Sequence, residues 1–197
     1  MYNEPNLKEL NYCQKGHEDD LIIRTLLKRE LVNGKTIYVL DIDDDIFFRQ
    51  NDIDLLLINK FFNFKSAEVK ADGFSNLSDG KKYIFLELIS NSKKYQETDG
   101  KLGQGCILTS KCDYFIFYFI KYDYYLIVES EKLKKYILEN RDRYPEKRAR
   151  TWSPDNSQIW YYSVGHVVPI DDIVEHCSAT IKYSRYKYDD IKKELGL

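Results

Sequence analysis

The run Leu55-Leu56-Leu57-Ile58 leaves this chain few options. It is too short for a buried helix, and its unbroken apolar character suits a buried strand. The strand reads from Asp52 to Ile58. A second strand, Phe64 to Asp72, follows after the connection Asn59 to Asn63, so the pair predicts a hairpin. Further strand-like runs fall at Thr36 to Leu40, Tyr83 to Ile89, Tyr114 to Ile120 and Tyr124 to Val128, with a tight turn at Lys121-Tyr122-Asp123. Ile159 to Val168 reads as one or two short strands, stopped by Pro169.

Helices punctuate this series. Residues 18–31 place Leu21, Ile22, Leu26 and Leu27 roughly on one face, start with acids that suit the helix dipole, and end at Asn33-Gly34. Ser130 is the expected N-cap of a helix to about Asn140. Asp171 is expected to cap a short helix to His176, and Asp189 to begin one ending near Leu195. Residues 90–105, polar and with three glycines, predict a loop, and the basic stretch Arg141 to Arg150, broken by Pro145, predicts irregular chain. This order predicts an α/β fold, a mixed central sheet flanked by helices. With 197 residues the chain reads as one domain over 1–178, with 179–197 a C-terminal extension packed on it or trailing from it.

The composition is that of a folded globular protein, 43% hydrophobic and 31% charged. A net charge of −2 lacks the basic surplus of many nucleic-acid binders, although acidic metal ligands cancel basic residues in such a sum. Cys13, Cys106, Cys112 and Cys177 form no CxxC pair and read as free thiols of a reducing cytoplasm. Met1 to Pro5 shows neither a basic nor an apolar leader region, and no stretch approaches the 18 apolar residues of a membrane span, so a cytoplasmic location away from membranes is expected.

The chemistry concentrates in the predicted hairpin. Side chains alternate along a strand, so Glu68 and Lys70 share a face, joined by Asp72 if the strand continues. Asp54, on the preceding strand, can lie beside Glu68. Two carboxylates repel unless a cation sits between them. A hard divalent ion takes such oxygen ligands and keeps several waters. A nearby lysine orients or deprotonates one of those waters and neutralises charge developing on a phosphate. An acid-x-lysine triplet on a strand is usually only a solvated face; the acid 14 residues upstream, in hairpin context, distinguishes this one.

The spacing Asp54…Glu68-Val69-Lys70 resembles the D…(D/E)xK signature of the PD-(D/E)XK, or restriction-endonuclease-like, nucleases. The series Gln50 to Asp54, Glu68 to Asp72, Phe85 to Asn91, Gly105 to Tyr118 and Gly165 to Pro169 resembles small phage- and bacterium-encoded proteins of that class, over about residues 18–175. The resemblance implies a mixed sheet flanked by helices, Mg²⁺ dependence with Mn²⁺ substituting, and endonucleolytic cleavage of DNA, with RNA the other candidate polynucleotide. By it, Asp54 and Glu68 would be metal ligands and Lys70 would hold the attacking water. Ile53 stands where the family's proline would be, and Asp52 competes with Asp54 for the ligand role; Asp54 is preferred because it directly opens the apolar strand. Cutting both strands of a duplex would favour a homodimer. The alternative is a catalytically inactive nucleic-acid- or protein-binding module on the same fold.

Glu87 is a lone acid in an apolar strand, and reads either as a further acid of the site or as one residue on a wet face. Glu18 could reach the site but more simply favours its helix start. Lys132, Lys135, Arg141, Arg143, Lys147, Arg148 and Arg150 could track a phosphate backbone, with Tyr144 or Trp152 to stack on bases; a solvated charged face is the plain reading. Asp41-x-Asp43-x-Asp45 lacks the glycine of a calcium loop, and His17, His166 and His176 stand in no nucleophile context.

Overall fold

Ile22, Ile23, Leu26, Leu27 and Leu31 recur at helical spacing and are all buried. They line helix α1, Leu7–Leu31, which starts well before Glu18. It stops where expected, because Asn33 Oδ1 accepts the backbone N–H groups of Lys35 and Thr36 at 2.8 and 3.1 Å. The computed structural model describes residues 7–33, 35–42, 45–72, 82–152 and 159–197, with side chains from Glu18 onward except those of Arg49, Asp72, Thr151 and Trp152. Asp43 and the side chains of Cys13 and His17 thus lie outside the described residues.

After α1 come β1 (Thr36–Asp41), the short α2 (Ile46–Arg49), β2 (Leu55–Asn59), β3 (Phe64–Asp72), β4 (Tyr83–Ile89), α3 (Ser92–Glu97) and α4 (Cys106–Thr109). Then follow β5 (Tyr114–Phe119), β6 (Tyr124–Glu129), α5 (Ser130–Asn140), β7 (Glu146–Trp152), β8 (Ile159–Pro169), α6 (Ile170–His176), β9 (Thr180–Tyr183) and α7 (Tyr188–Glu194). The fold is mixed α/β. A six-stranded mixed sheet runs in the order β1-β2-β3-β5-β6-β9, and a three-stranded sheet in the order β4-β8-β7. The predicted hairpin is present, with Leu55 opposite Ala67 and Ile58 opposite Phe64. The β3–β5 pair is parallel, so the chain between them makes an excursion that carries β4, α3 and α4. Asp113 fixes the register there: its Oδ2 accepts from Ser66 N at 2.8 Å, and Lys65 Nζ donates to Oδ1 at 2.6 Å.

Alternation along β3 and β5 divides the core. Ala67, Val69, Ile116 and Tyr118 face α1 and α7, where Tyr188 and Ile191 complete one cluster. Phe115, Phe117 and Phe119 face the opposite way, into a second cluster with Ile84 and Leu86 of β4, Val168 of β8, and α5 and α6. Glu68 and Lys70 pair in register with Phe115 and Phe117, so they lie on this second face, between the two sheets.

Several expectations are corrected. The loop expected over 90–105 contains α3, capped by Asn91 Oδ1, which accepts from Lys94 N at 3.0 Å. Ser130 is not the cap of α5: Glu129 holds that position, and buried Ser130 contacts Cys112 Sγ at 3.0 Å. The basic stretch is not irregular but forms a 3₁₀ turn and then β7. β2 begins at Leu55 rather than Asp52, because Asp52 adopts φ 51°, which breaks the extended path. Asp171 sits in the first turn of α6, whose cap is Pro169. Residues 180–194 supply β9, which pairs with β6, and α7, which packs on α1. Cys106, Cys112 and Cys177 are free thiols, as expected. No helix among the described residues is long and apolar enough to cross a membrane.

Candidate active site

The hairpin brings Asp54 across to β3. The backbone N–H of Asp54 donates to Ala67 O at 2.9 Å, and Asp54 Oδ2 accepts from Val69 N at 2.7 Å. The carboxylate is thereby pinned to the backbone immediately after Glu68. Glu68 is only 3% exposed. One of its oxygens, Oε1, is ion-paired with Lys70 Nζ, while buried Oε2 has no hydrogen-bond partner. A buried carboxylate oxygen without a donor is costly and calls for a compensating charge or ligand.

Burial pushes the Glu68 carboxyl up to about 7, against the Lys70 ammonium that pulls it down; the charge of Asp54, and after it that of Asp52, adds to the rise. Burial alone would lower the Lys70 ammonium, but Cys106, Glu68 and Asp54 outweigh it and hold the proton on the amine. Burial also raises the Cys106 thiol to about 12, with Glu68, Glu87 and Asp52 among its causes. These shifts place Asp52, Asp54, Glu68, Lys70, Glu87 and Cys106 within one electrostatic neighbourhood.

Lys70 borders a cleft of about 490 Å³, lined also by Asp52, Glu87, Gln104, Cys106 and Thr109, with Glu68 and Asp54 set behind it rather than in its lining. α4 forms one wall. Gly105 N donates to Leu88 O at 2.8 Å, and a Cβ at Gly105 would fall 2.3 Å from Glu87 O, so only glycine allows α4 this close to β4. At the other end of α4, Thr109 Oγ1 donates to Asp52 Oδ2 at 2.9 Å and Ser110 Oγ to Asp52 O at 2.8 Å. Asp52 is thus anchored to α4, and Asp54 to β3.

Asp54, Glu68, Lys70 and Glu87 are brought together. Glu18 lies on the other side of the large sheet, where its charge acts on Tyr188. The seven basic residues do not line this cleft. Lys132 pairs with Glu129 at 3.0 Å, Lys135 with Glu139 at 3.9 Å, Arg141 with Asp142 at 3.9 Å, Arg143 with Asp172 at 3.6 Å and Arg148 with Glu146 at 3.5 Å. Arg150 is exposed on β7. Lys147 lies nearest by register: Glu87, Gly165 and Lys147 form one row across the small sheet, so Lys147 shares the face of Glu87 about 10 Å away. Tyr144 donates to Asp172 Oδ2 at 2.7 Å and is buried. The residues missed by sequence reasoning are Gln104, Cys106 and Thr109; their connection carries no periodic signal that would assign them to a site.

Two carboxylates, those of Asp54 and Glu68, the latter with its orphaned Oε2, are hard oxygen donors of the kind that a divalent ion such as Mg²⁺ takes. No group of three or more His, Cys, Asp or Glu side chains able to hold a metal occurs among the described residues. One or two carboxylates plus waters and substrate phosphate are the usual Mg²⁺ arrangement, with which a pair of carboxylates is compatible. Comparison of the chain with protein-family models, with curated proteins and with solved structures gave no significant match.

Proposed function

We propose that this protein is a metal-dependent endonuclease of the PD-(D/E)XK class, acting on DNA in the cytoplasm. The observation that carries the reading is the buried Glu68 carboxylate, placed beside Asp54 and paired with Lys70, which itself lines a cleft. The mixed sheet flanked by helices supports the restriction-endonuclease-like fold that the sequence signature implies. A divalent ion bound there would polarise the phosphate and make its water more acidic. Asp54 and Glu68 would hold that ion. Lys70 retains its proton, so its part is to orient a water through its N–H donors and to offset negative charge building on the phosphate, rather than to accept a proton. Glu87, across the cleft, supplies a second acceptor for that water.

The test is nicking of supercoiled plasmid in Mg²⁺ and in Mn²⁺. Cleavage should vanish with chelator and fall by at least about a hundredfold in Lys70→Ala and Asp54→Ala. Equal cutting by wild type and both variants sinks the assignment. Salt-dependent binding without cleavage in any divalent ion would instead identify an inactive binding module on the same fold.

A further inference from the structure

A second cleft, of about 570 Å³, borders the segment Ile89–Ser92, whose Ser90 lines the first. Tyr95, Trp160, Tyr161 and Tyr162 line it, together with Lys93 and Arg148. β4 ceases to pair with β8 at Ile89 opposite Val164. Beyond that point β8 is held to the start of α3: Tyr162 N donates to Ser92 Oγ at 3.0 Å, and Ser163 Oγ donates to Ser90 O at 3.2 Å. These bonds fix α3 as a wall and β7 and β8 as the floor, where Arg148 lies opposite Val164. Trp160 is 52% exposed, and its ring is tilted by 41° to that of Tyr161 with centroids 6.0 Å apart, so the two do not stack on each other. Lys93 is exposed and has no ion-pair partner among the described residues. Two cations against Glu146, which sits 3.5 Å from Arg148, leave the groove with a positive balance.

We propose that this groove binds an unpaired stretch of polynucleotide, with bases stacked on Trp160 and its neighbouring tyrosines and phosphates met by Lys93 and Arg148. The inference rests on the nuclease reading and narrows its substrate to nucleic acid with a single-stranded segment beside the point of cleavage. Exposed aromatic rings stack on base faces, which are available when a base is unpaired and covered when it lies inside a duplex. Cations beside the rings match the phosphates of the same strand. Glu87 and Ser92 are five residues apart, at most about 17 Å of extended chain, so one strand can reach both clefts.

The test is fluorescence anisotropy in chelator, with a fluorescein-labelled oligothymidylate and a flush duplex of the same length. Wild type should bind the single strand more tightly than the duplex. Trp160→Ala should weaken single-strand binding by about tenfold or more, Trp160→Phe should restore most of it, and duplex binding should not change. Lys93→Glu should weaken single-strand binding and flatten its salt dependence. Equal binding of the two ligands by wild type, or unchanged single-strand binding in Trp160→Ala, overturns the proposal. Plasmid cleavage by the same preparations separates the two readings. Lys70-dependent cleavage with Trp160-independent binding removes the groove proposal alone; Trp160-dependent binding without metal-dependent cleavage removes the nuclease reading alone.

Discussion

Glu68→Gln is expected to lower Mg²⁺-dependent cleavage by at least about a hundredfold while making the metal-free protein more stable at pH 8. On the proposed nuclease reading, the first effect follows from losing a charged ligand of the metal ion, whose electrostatic contribution to phosphoryl chemistry is several kcal/mol, each 1.4 of them a factor of about ten. The second follows from burial. The Glu68 carboxyl is raised from 4.5 to about 7, so between those pH values the folded chain holds a proton that the unfolded chain has released. Stability from this group is fully present below pH 4.5 and is lost as pH rises through 7. The loss is on the order of 2–3 kcal/mol, or roughly 5–10 °C in melting temperature for a chain of this size. The amide does not titrate, so the variant should lack this component of the pH dependence. Melting curves in chelator at pH 5 and pH 8 check it; parallel pH dependence of wild type and variant would count against a buried, proton-holding Glu68. Mg²⁺ favours the ionised carboxylate, so it should raise the wild-type melting temperature at pH 8 and much less at pH 5.

Gly165→Ala should be the most disruptive single-methyl change in the small sheet. A Cβ there would fall 2.2 Å from Leu86 O and 2.9 Å from Glu87 Cα. Both are backbone atoms of β4, so no side chain can swing away and the strands must part. The expected cost is about 2–4 kcal/mol, from overpacking and weakened ladder bonds together. Chemical denaturation measures it directly. Because the displaced backbone carries Glu87, the proposed cleavage activity should fall further than the folded fraction accounts for. Gly196→Ala is the control: nothing lies within 4 Å of its added Cβ, and only its φ of +74° resists, for about 1 kcal/mol. Equal destabilisation by the two changes would refute the close approach of β4 and β8 at Gly165.

The hairpin and its acids could be read from sequence because period-two alternation is local. Glu68 and Lys70 must share a face wherever β3 lies, and a five-residue connection leaves Asp54 little choice of partner. Asp52 and Asp54 could not be separated that way. Their difference arises from Thr109, a residue 57 positions from Asp52, and from the turn at φ 51°. β4 was legible as a strand but not as a member of a second sheet, since an apolar run does not name its partner. β7 and β9 were missed for a related reason. The described side chains of β7 and all those of β9 are exposed, so neither shows the apolar alternation that betrays a strand. The α4 wall was invisible because the close packing that makes it depends on Gly105 meeting the backbone of β4.

The joining of α1 to the far end of the chain bears on how the molecule is made. Arg29 reaches Glu194 at 2.8 and 2.5 Å, and buried Glu30 accepts from Arg185 N and Nε at 3.0 and 3.1 Å. Each contact spans more than 150 positions, so the polar clasp on α1 forms only once residues 185–194 are in place, whereas its apolar face already has β1 and β3 to pack on. A chain cut short of residue 180 should therefore keep α1 on its sheet but leave β6 an open edge and Glu30 a buried acid without its arginine.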